Sequence, residues 1–305
     1  MNRRFLIAGG CASLALAGRP ALSQDLTPLE VAYAGSMGSM MEGPIKAGAA
    51  QTLQIEMHGR AQGSDALAQL IVGASIAPDV FIPVTPGPML TVLKGGKATT
   101  ATPIARTEMV IAYSPKSKYA QQFADAGSGK HGAMPWWQVL EQPDVRFGRT
   151  DPAVDPQGRN IIFTLQLAEA YYKQPGLAQK ILGGTVNPAQ IFSEPTVEAR
   201  LQSGELDAAS AYKIQPGPFN LPYVTLPQEI NLGNAALHDE YATTSLELNG
   251  KTYHPESLVY YAAVLESSAH KEKAAAFVAW LSGSAQAIFR QYFYDPPAGA
   301  SMLHA

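Results

Sequence analysis

An apolar run, Leu29-Glu30-Val31-Ala32-Tyr33, stops at Ala34-Gly35-Ser36, and a second run, residues 53–58, leads into a loop over residues 59–64 that again ends in Gly-Ser. Residues 64–71 then read as a helix opening on Ser64, a good N-cap residue, and residues 79–84 as a third strand. Strands alternating with helices in this way are joined by crossovers on the sheet faces, so the pattern predicts an α/β fold.

Further along, Met109-Val110-Ile111-Ala112-Tyr113, preceded by Glu108, reads as another strand, followed by a Gly-, Ser- and Lys-containing loop and a short helix near Pro135. There the chain is expected to enter a second lobe. A helix over residues 160–173 places Ile161, Leu165, Ala168 and Tyr172 on one face, and one over residues 271–292 does the same with Phe277, Leu281, Ile288 and Tyr292. Both stripes read as core. The Pro-rich stretch 215–222 interrupts regular structure and reads as part of the crossing back to the first lobe, with residues 258–264 as a returning strand. A chain of 305 residues with 46% hydrophobic content is long enough for two packed lobes.

The first 24 residues read as an export signal: Asn2-Arg3-Arg4 is basic, residues 5–17 are apolar and small, and Ala21-Leu22-Ser23 offers a cleavage site. The expected location is therefore the periplasm. The paired arginines leave the twin-arginine route open, and Cys11 leaves a lipid anchor open. Cys11 is also the single cysteine, so the mature chain would have neither disulfides nor a thiolate nucleophile or metal site. The net charge of −3 becomes more acidic once Arg3, Arg4 and Arg19 are removed, which argues against nucleic-acid binding.

Residues 148–160 hold an acidic turn punctuated by Pro152, Pro156 and Gly158, set between an apparent strand and a long amphipathic helix. Such junctions are where α/β proteins place ligand contacts. Serines at strand-to-helix turns suit a tetrahedral oxyanion, because a hydroxyl, backbone N–H groups and the positive helix end converge on one oxygen without a formal cation. Taken alone, Ser36 and Ser64 also read as simple caps, Asp155 as a loop acid and Glu194 as a helix-start glutamate.

These turns, with Ser193-Glu194, resemble the ligand loops of periplasmic molybdate/tungstate-binding proteins of ABC importers, in the branch typified by archaeal members. Blocks in the same order extend the resemblance through most of the mature chain. They include Pro143-Asp144-Val145-Arg146-Phe147-Gly148, Leu167-Ala168-Glu169-Ala170-Tyr171-Tyr172, Gly204-Glu205-Leu206-Asp207 and Leu226-Pro227-Gln228-Glu229-Ile230-Asn231-Leu232-Gly233. The resemblance implies an α/β, two-lobed type II periplasmic-binding-protein fold with a ligand cleft between lobes. Residues 25–105 and 224–305 would form lobe 1 and residues 106–223 lobe 2. It implies Ser36, Ser64 and Tyr212 as oxyanion contacts, and Asp155 and Glu194 as carboxylates that approach the molybdenum or tungsten and expand its coordination toward octahedral. A high-valent metal accepts such donors and sulfur in sulfate does not, so the carboxylates would also repel sulfate. The implied partners are an inner-membrane ABC permease with its cytoplasmic ATPase, the working form a monomer, and molybdate or tungstate the transported ligand rather than a cofactor.

The chain departs from the family pattern in Met57-His58-Gly59-Arg60-Ala61-Gln62, which brings His58 and Arg60 toward the expected cleft, with Arg60 a further anion contact or a solvated residue. Gln157-Gly158-Arg159 replaces the family's Cys-Gly-Tyr, and Ile214 replaces a serine after Tyr212-Lys213. Other readings stay open: a binding protein for sulfate, phosphate or a small organic anion, and a periplasmic serine hydrolase using Ser36 or Ser64 with His58 as base. Gly127-Ser128-Gly129-Lys130-His131 lacks the first glycine and the terminal Ser/Thr of a P-loop, and the histidines form no close metal-ligand pair.

Overall fold

Strand β1 (Thr27–Ala34) lies between β2 (Ile55–Gln62) and β3 (Val80–Ile82) and is parallel to both. The chain runs from β1 out to β2, and helix Ser64–Val72 then carries it back across β1 to β3, so the strand order reverses at β1. The computed structural model describes residues 26–305, and the expected signal segment, with Cys11, lies outside the described residues. Among those residues no helix is long and apolar enough to cross a membrane.

The sheet continues through β11 (Val259–Val264), β4 (Thr100–Arg106) and β12 (Leu303–His304), giving the order β12-β4-β11-β3-β1-β2 with β11 antiparallel to β3 and β4. Side chains alternate across it: Leu29, Val31 and Tyr33 enter one apolar cluster with Phe277 and Leu281, and Ala32 enters another with Leu67, Ile71, Met89 and Leu93. Helices thus cover both faces, Lys46–Leu53 and Lys271–Ser282 on one, Ser64–Val72 and Pro86–Lys94 on the other.

Several boundaries differ from those read in the sequence. Strand β2 runs to Gln62 through the expected loop, pairing residue for residue with β1. It is an edge strand, so Glu56, His58 and Arg60 point to solvent and its polarity conceals its pairing. The N-cap of the next helix is Gly63, and Ser64 is its first helical residue. The expected C-terminal helix divides into Lys271–Ser282 and Gln286–Gln291 at Gly283, whose φ of −114° and ψ of −109° are not helical.

The second sheet has the order β6-β7-β5-β8, from β5 (Met109–Tyr113), β6 (Phe147–Gly148), β7 (Ala208–Tyr212) and β8 (Tyr223–Thr225). The Pro-rich stretch leads into β8 rather than back to the first sheet, and the expected lobe boundary at 223/224 falls inside that strand, where Val224 pairs with Ile111. Helix Pro156–Tyr172 covers one face; Val197 and Leu201 of helix Glu194–Ser203 pack on the other with Val110 and Ala112. The helix expected from residue 160 starts at Pro156, because proline's fixed φ suits the first helical position that its sequence context disguised as a turn.

The two crossings run side by side: Met109 N donates to Asn231 O at 2.8 Å, and Thr107 N to Leu258 O at 3.0 Å. Lys213 of the second lobe reaches Asp295 of the first at 2.7 Å. A strap ending in the hairpin β9 (Leu246–Leu248) and β10 (Lys251–Tyr253) leans on helix Pro156–Tyr172, where Gln166 donates to the Ser245 carbonyl at 3.3 Å.

Phe81, on central strand β3, is 0% exposed. Phe81→Ala is expected to lower unfolding free energy in urea by about 3–5 kcal/mol through lost burial and a residual cavity. A loss under about 1 kcal/mol would contradict a helix-covered sheet at this position.

Candidate functional site

Because β1, β2 and β3 are parallel, their carboxyl ends meet at one edge of the sheet, and the strand order reverses there. Open α/β sheets bind ligands in the crevice formed by such a reversal. Here Gly35 and Ser36 follow β1, Gly63 and Ser64 follow β2, and Val84 follows β3. All five line a cleft of about 330 Å³ whose opposite wall is Val154, Asp155, Pro156, Gln157 and Tyr212.

On the first wall, Ser36 sits in the 3₁₀ turn Gly35–Met37 with its Oγ 3.0 Å from the hydroxyl of Tyr260, a fully buried residue. Ser64 opens the nine-residue helix Ser64–Val72. Its Oγ accepts the Val84 N–H at 3.2 Å, which leaves its own hydrogen to donate toward the cleft. No side chain caps this helix, and its first internal bond is Leu67 N to Gly63 O at 3.1 Å. The amides of its first turn and the positive end of its dipole therefore remain to meet an anion.

On the second wall, Asp155 is the N-cap of helix Pro156–Tyr172, accepting from Gln157 N at 2.9 Å. Burial pushes its carboxyl above the usual range, against the opposing effects of the Gln157 amide, the Thr150 hydroxyl and Arg159. Gln157 ties the helix to β7 by donating to Ser210 O at 3.1 Å. Tyr212 ends β7, and its hydroxyl accepts from Asn160 Nδ2 at 3.0 Å, so one helix fixes both Asp155 and Tyr212. A Cβ at Gly158 would stand 2.4 Å from Thr150 O and 2.7 Å from Pro152 N; only glycine allows the helix to press this closely on the acidic turn.

Glu194 opens helix Glu194–Ser203, but its side chain lies outside the described residues. Its backbone approach is set by a parallel bridge between Arg149 and Ile191. Arg60 is away from the cleft: it lies on edge strand β2 and lines a separate depression with Glu30, Ile76 and Pro78. His58 is also on β2, exposed, with Nδ1 2.8 Å from Glu30; that contact raises its pKa. Ser36, Ser64, Asp155 and Tyr212 are thus brought together, while Arg60 and His58 are not. Sequence reading missed Tyr260, Asn160 and Gln157. Tyr260 was hidden in an apolar strand, Gln157 in a helical turn read as loop, and Asn160 at the start of the expected helix, where nothing marked its side chain as the partner of Tyr212. Among the described residues there is no cluster of three or more His, Cys, Asp or Glu side chains able to hold a metal cation.

A two-lobed α/β fold with a cleft at the strand ends is the architecture of solute receptors. The model of the bacterial extracellular solute-binding protein family matches residues 29–295, and the chain belongs to that family. It is 32% identical over 218 residues to the molybdate/tungstate-binding protein WtpA of Pyrococcus abyssi, covering 63% of this chain and 62% of that protein. It is 28% identical over 251 residues to a putative ABC transporter molybdenum-binding protein of Haloferax volcanii, covering 81% and 76%. The chain spans only 60–63% of the length of the first curated relatives it matches. In structure it resembles the substrate-binding domain of a putative molybdenum ABC transporter from Clostridium difficile, with a TM-score of 0.59 and 17% identity over 88% of this chain and 98% of that one; this shows the two-lobed fold.

Gly158→Ala is expected to force the helix start and the acidic turn apart, costing about 1–3 kcal/mol in denaturant unfolding. Ligand affinity should fall along with stability, because Asp155 moves with the helix. An unchanged unfolding midpoint would show that the turn yields freely and does not fix the carboxylate.

Proposed function

We propose that this protein is the extracytoplasmic receptor of an ABC importer that captures molybdate or tungstate. The observation that carries this reading is the pairing of two unlike walls across one cleft: Ser36, Ser64 and an uncapped helix end on one side, Asp155 and Tyr212 on the other. Hydroxyls and backbone dipoles neutralise a tetrahedral oxyanion without a cationic side chain among the cleft's lining residues. A carboxylate facing the same space disfavours sulfate or phosphate, whose central atoms take no further oxygen donor, and suits a high-valent metal that does. The names of the relatives from Pyrococcus abyssi and Haloferax volcanii support the same ligand class.

In this reading Asp155, joined by Glu194, adds oxygen donors to the bound metal, and the oxyanion is cargo rather than cofactor. Lobe closure around it changes the surface offered to an inner-membrane permease with a cytoplasmic ATPase, and the receptor works as a periplasmic monomer after loss of residues 1–24. Catalysis has no place in it: the serines line the cleft while His58, the base a hydrolase would need, is hydrogen-bonded to Glu30 on an edge strand.

Calorimetry of ligand-stripped protein is expected to show tight binding of molybdate and tungstate and none of sulfate or phosphate. Sulfate or phosphate binding would transfer the reading to another anion. Asp155→Asn keeps an N-cap acceptor, so it should weaken molybdate binding about tenfold or more, about 1.4 kcal/mol or above, with little effect on folding. Unchanged affinity in this variant and in Glu194→Ala would exclude carboxylate coordination.

The pH dependence has a defined sign. The Asp155 carboxyl titrates above its usual range and must be ionised to coordinate, so binding releases its proton. Affinity should fall as pH is lowered through that raised pKa and level off above it, and Asp155→Asn should remove this component. Titrations across pH in buffers of different ionisation enthalpy measure both effects; a wild-type profile identical to that of the variant would assign the ionisation elsewhere.

A further inference from the structure

Two neighbouring residues of helix Pro156–Tyr172 grip the acidic turn. Gly158 lets the helix press against residues 150–152, and Arg159 reaches back so that its Nη1 donates to the Pro152 carbonyl at 3.0 Å. The turn is closed from within, by Ala153 N to Asp151 Oδ1 at 2.9 Å and Asp155 N to Asp151 O at 2.8 Å. The Arg159 bond adds a hold from the helix on the Pro152 peptide, three residues before the Asp155 carboxylate. Arg159 does not line the oxyanion cleft; it lines the adjoining cavity between the lobes, together with Tyr253 and Glu256.

The guanidinium has a second hold. Its carbon stands 4.6 Å from the centroid of the Tyr253 ring on strand β10, where Lys251 also places its Nζ 4.7 Å from the same ring. Arginine suits both tasks at once, because its fork donates to a carbonyl while its planar group is drawn to the ring. Seven residues further along the same helix face, Gln166 donates to the Ser245 carbonyl at 3.3 Å and accepts from the Thr244 hydroxyl. Tyr253 pairs with Leu246 across the hairpin, so the base of the hairpin rests on the helix at two points. Three residues beyond Tyr253, Glu256 packs on Gly87 of helix Pro86–Lys94 in the first lobe, where a Cβ would stand 2.2 Å from its carboxylate oxygen.

We propose that Arg159 is a positioning residue for ligand capture: braced by Tyr253 of the strap, it fixes the Pro152 peptide so that the Asp155 carboxylate is held toward the metal of the bound oxyanion. The inference rests on the reading of the cleft as a molybdate or tungstate site. Arg159 touches no ligand in it and acts through Asp155. Because the strap contacts both lobes, the hairpin that seats Arg159 on one wall is also fixed relative to the serine wall.

The test uses the mature protein and tungstate, with affinity from calorimetry and the oxygen shell from X-ray absorption at the tungsten edge. Arg159→Met, which keeps an apolar stem and removes the donors, is expected to weaken binding about tenfold, and Arg159→Lys and Tyr253→Leu about threefold each. The Arg159→Met loss should shrink to within about twofold in the Asp155→Asn background, and the Tyr253→Leu loss likewise in the Arg159→Met background. At the tungsten edge Arg159→Met should lose a carboxylate donor that wild type shows, which a general loss of stability would not produce. In ligand-free protein, amide exchange at Ala153 and Asp155 should quicken about tenfold in Arg159→Met. Unchanged exchange would overturn the clamp itself. Affinity within about twofold of wild type, or the same loss with and without the Asp155 carboxylate, would make Arg159 a structural residue only and overturn its part in capture. Wild-type protein that binds no tungstate would instead remove the proposed function, and the ligand role of Arg159 with it, whatever the exchange shows.

Discussion

The close approach of helix Pro156–Tyr172 to the backbone of residues 150–152 sets the geometry of the ligand-facing wall. The contact exists because Gly158 has no side chain to hold the two apart. With the helix start in place, Asp155 closes its first turn, Gln157 anchors it to β7, and Asn160 orients the Tyr212 hydroxyl. Successive turns of one helix thereby position the carboxylate and the phenol, so neither depends on a mobile loop. Arg149, buried just before the acidic turn, donates to the carbonyls of Gly184 and Thr185 and to Gln190, holding the segment that leads to the Glu194 helix. Burial pushes its pKa down against the opposing charge of Asp151, and those carbonyl and amide oxygens accept its N–H donors.

The opposite wall follows from topology. Strand reversal at β1 gathers two Gly-Ser turns at one sheet edge, and the absence of a side-chain cap on helix Ser64–Val72 leaves its amides for a ligand. In a conventional helix start the serine oxygen would accept from an amide two or three residues on. Here the helix begins one residue earlier than its sequence suggests, with Gly63 rather than Ser64 at the N-cap, and the Ser64 hydroxyl accepts instead from Val84, just beyond β3. The same displacement ties the end of β2 to the end of β3 across β1 and leaves the Ser64 hydroxyl hydrogen uncommitted to a cap.

Much of this was legible in the residues. The alternation of strand and helix, the apolar stripes and the acidic turn pointed to an α/β fold and to the segments that line the cleft. Less accessible were features set by tertiary pairing. Arg60 read as a loop cation because Gly59, Ala61 and Gln62 carry no strand signature, yet β1 supplies a partner for each of them and carries Arg60 to the outer edge. Pro156 and Gly158 look like turn residues, and their roles as helix opener and contact point emerge only once the backbone of residues 150–152 lies against them. Tyr260 reads as one more large residue of a buried strand. Its hydroxyl gains meaning from Ser36, more than two hundred residues earlier in the chain, a separation that local pattern cannot bridge.

The central claim is that the cleft treats its ligand as a metal centre with room for more oxygen donors and not merely as an anion. X-ray absorption at the molybdenum or tungsten edge of the loaded protein tests it most directly. The account predicts an expanded, near-octahedral oxygen shell containing added carboxylate donors, reverting toward the tetrahedral ion in Asp155→Asn. A tetrahedral shell in the wild-type complex would contradict it, leaving the carboxylate as a helix cap and the hydroxyls as the whole of the recognition.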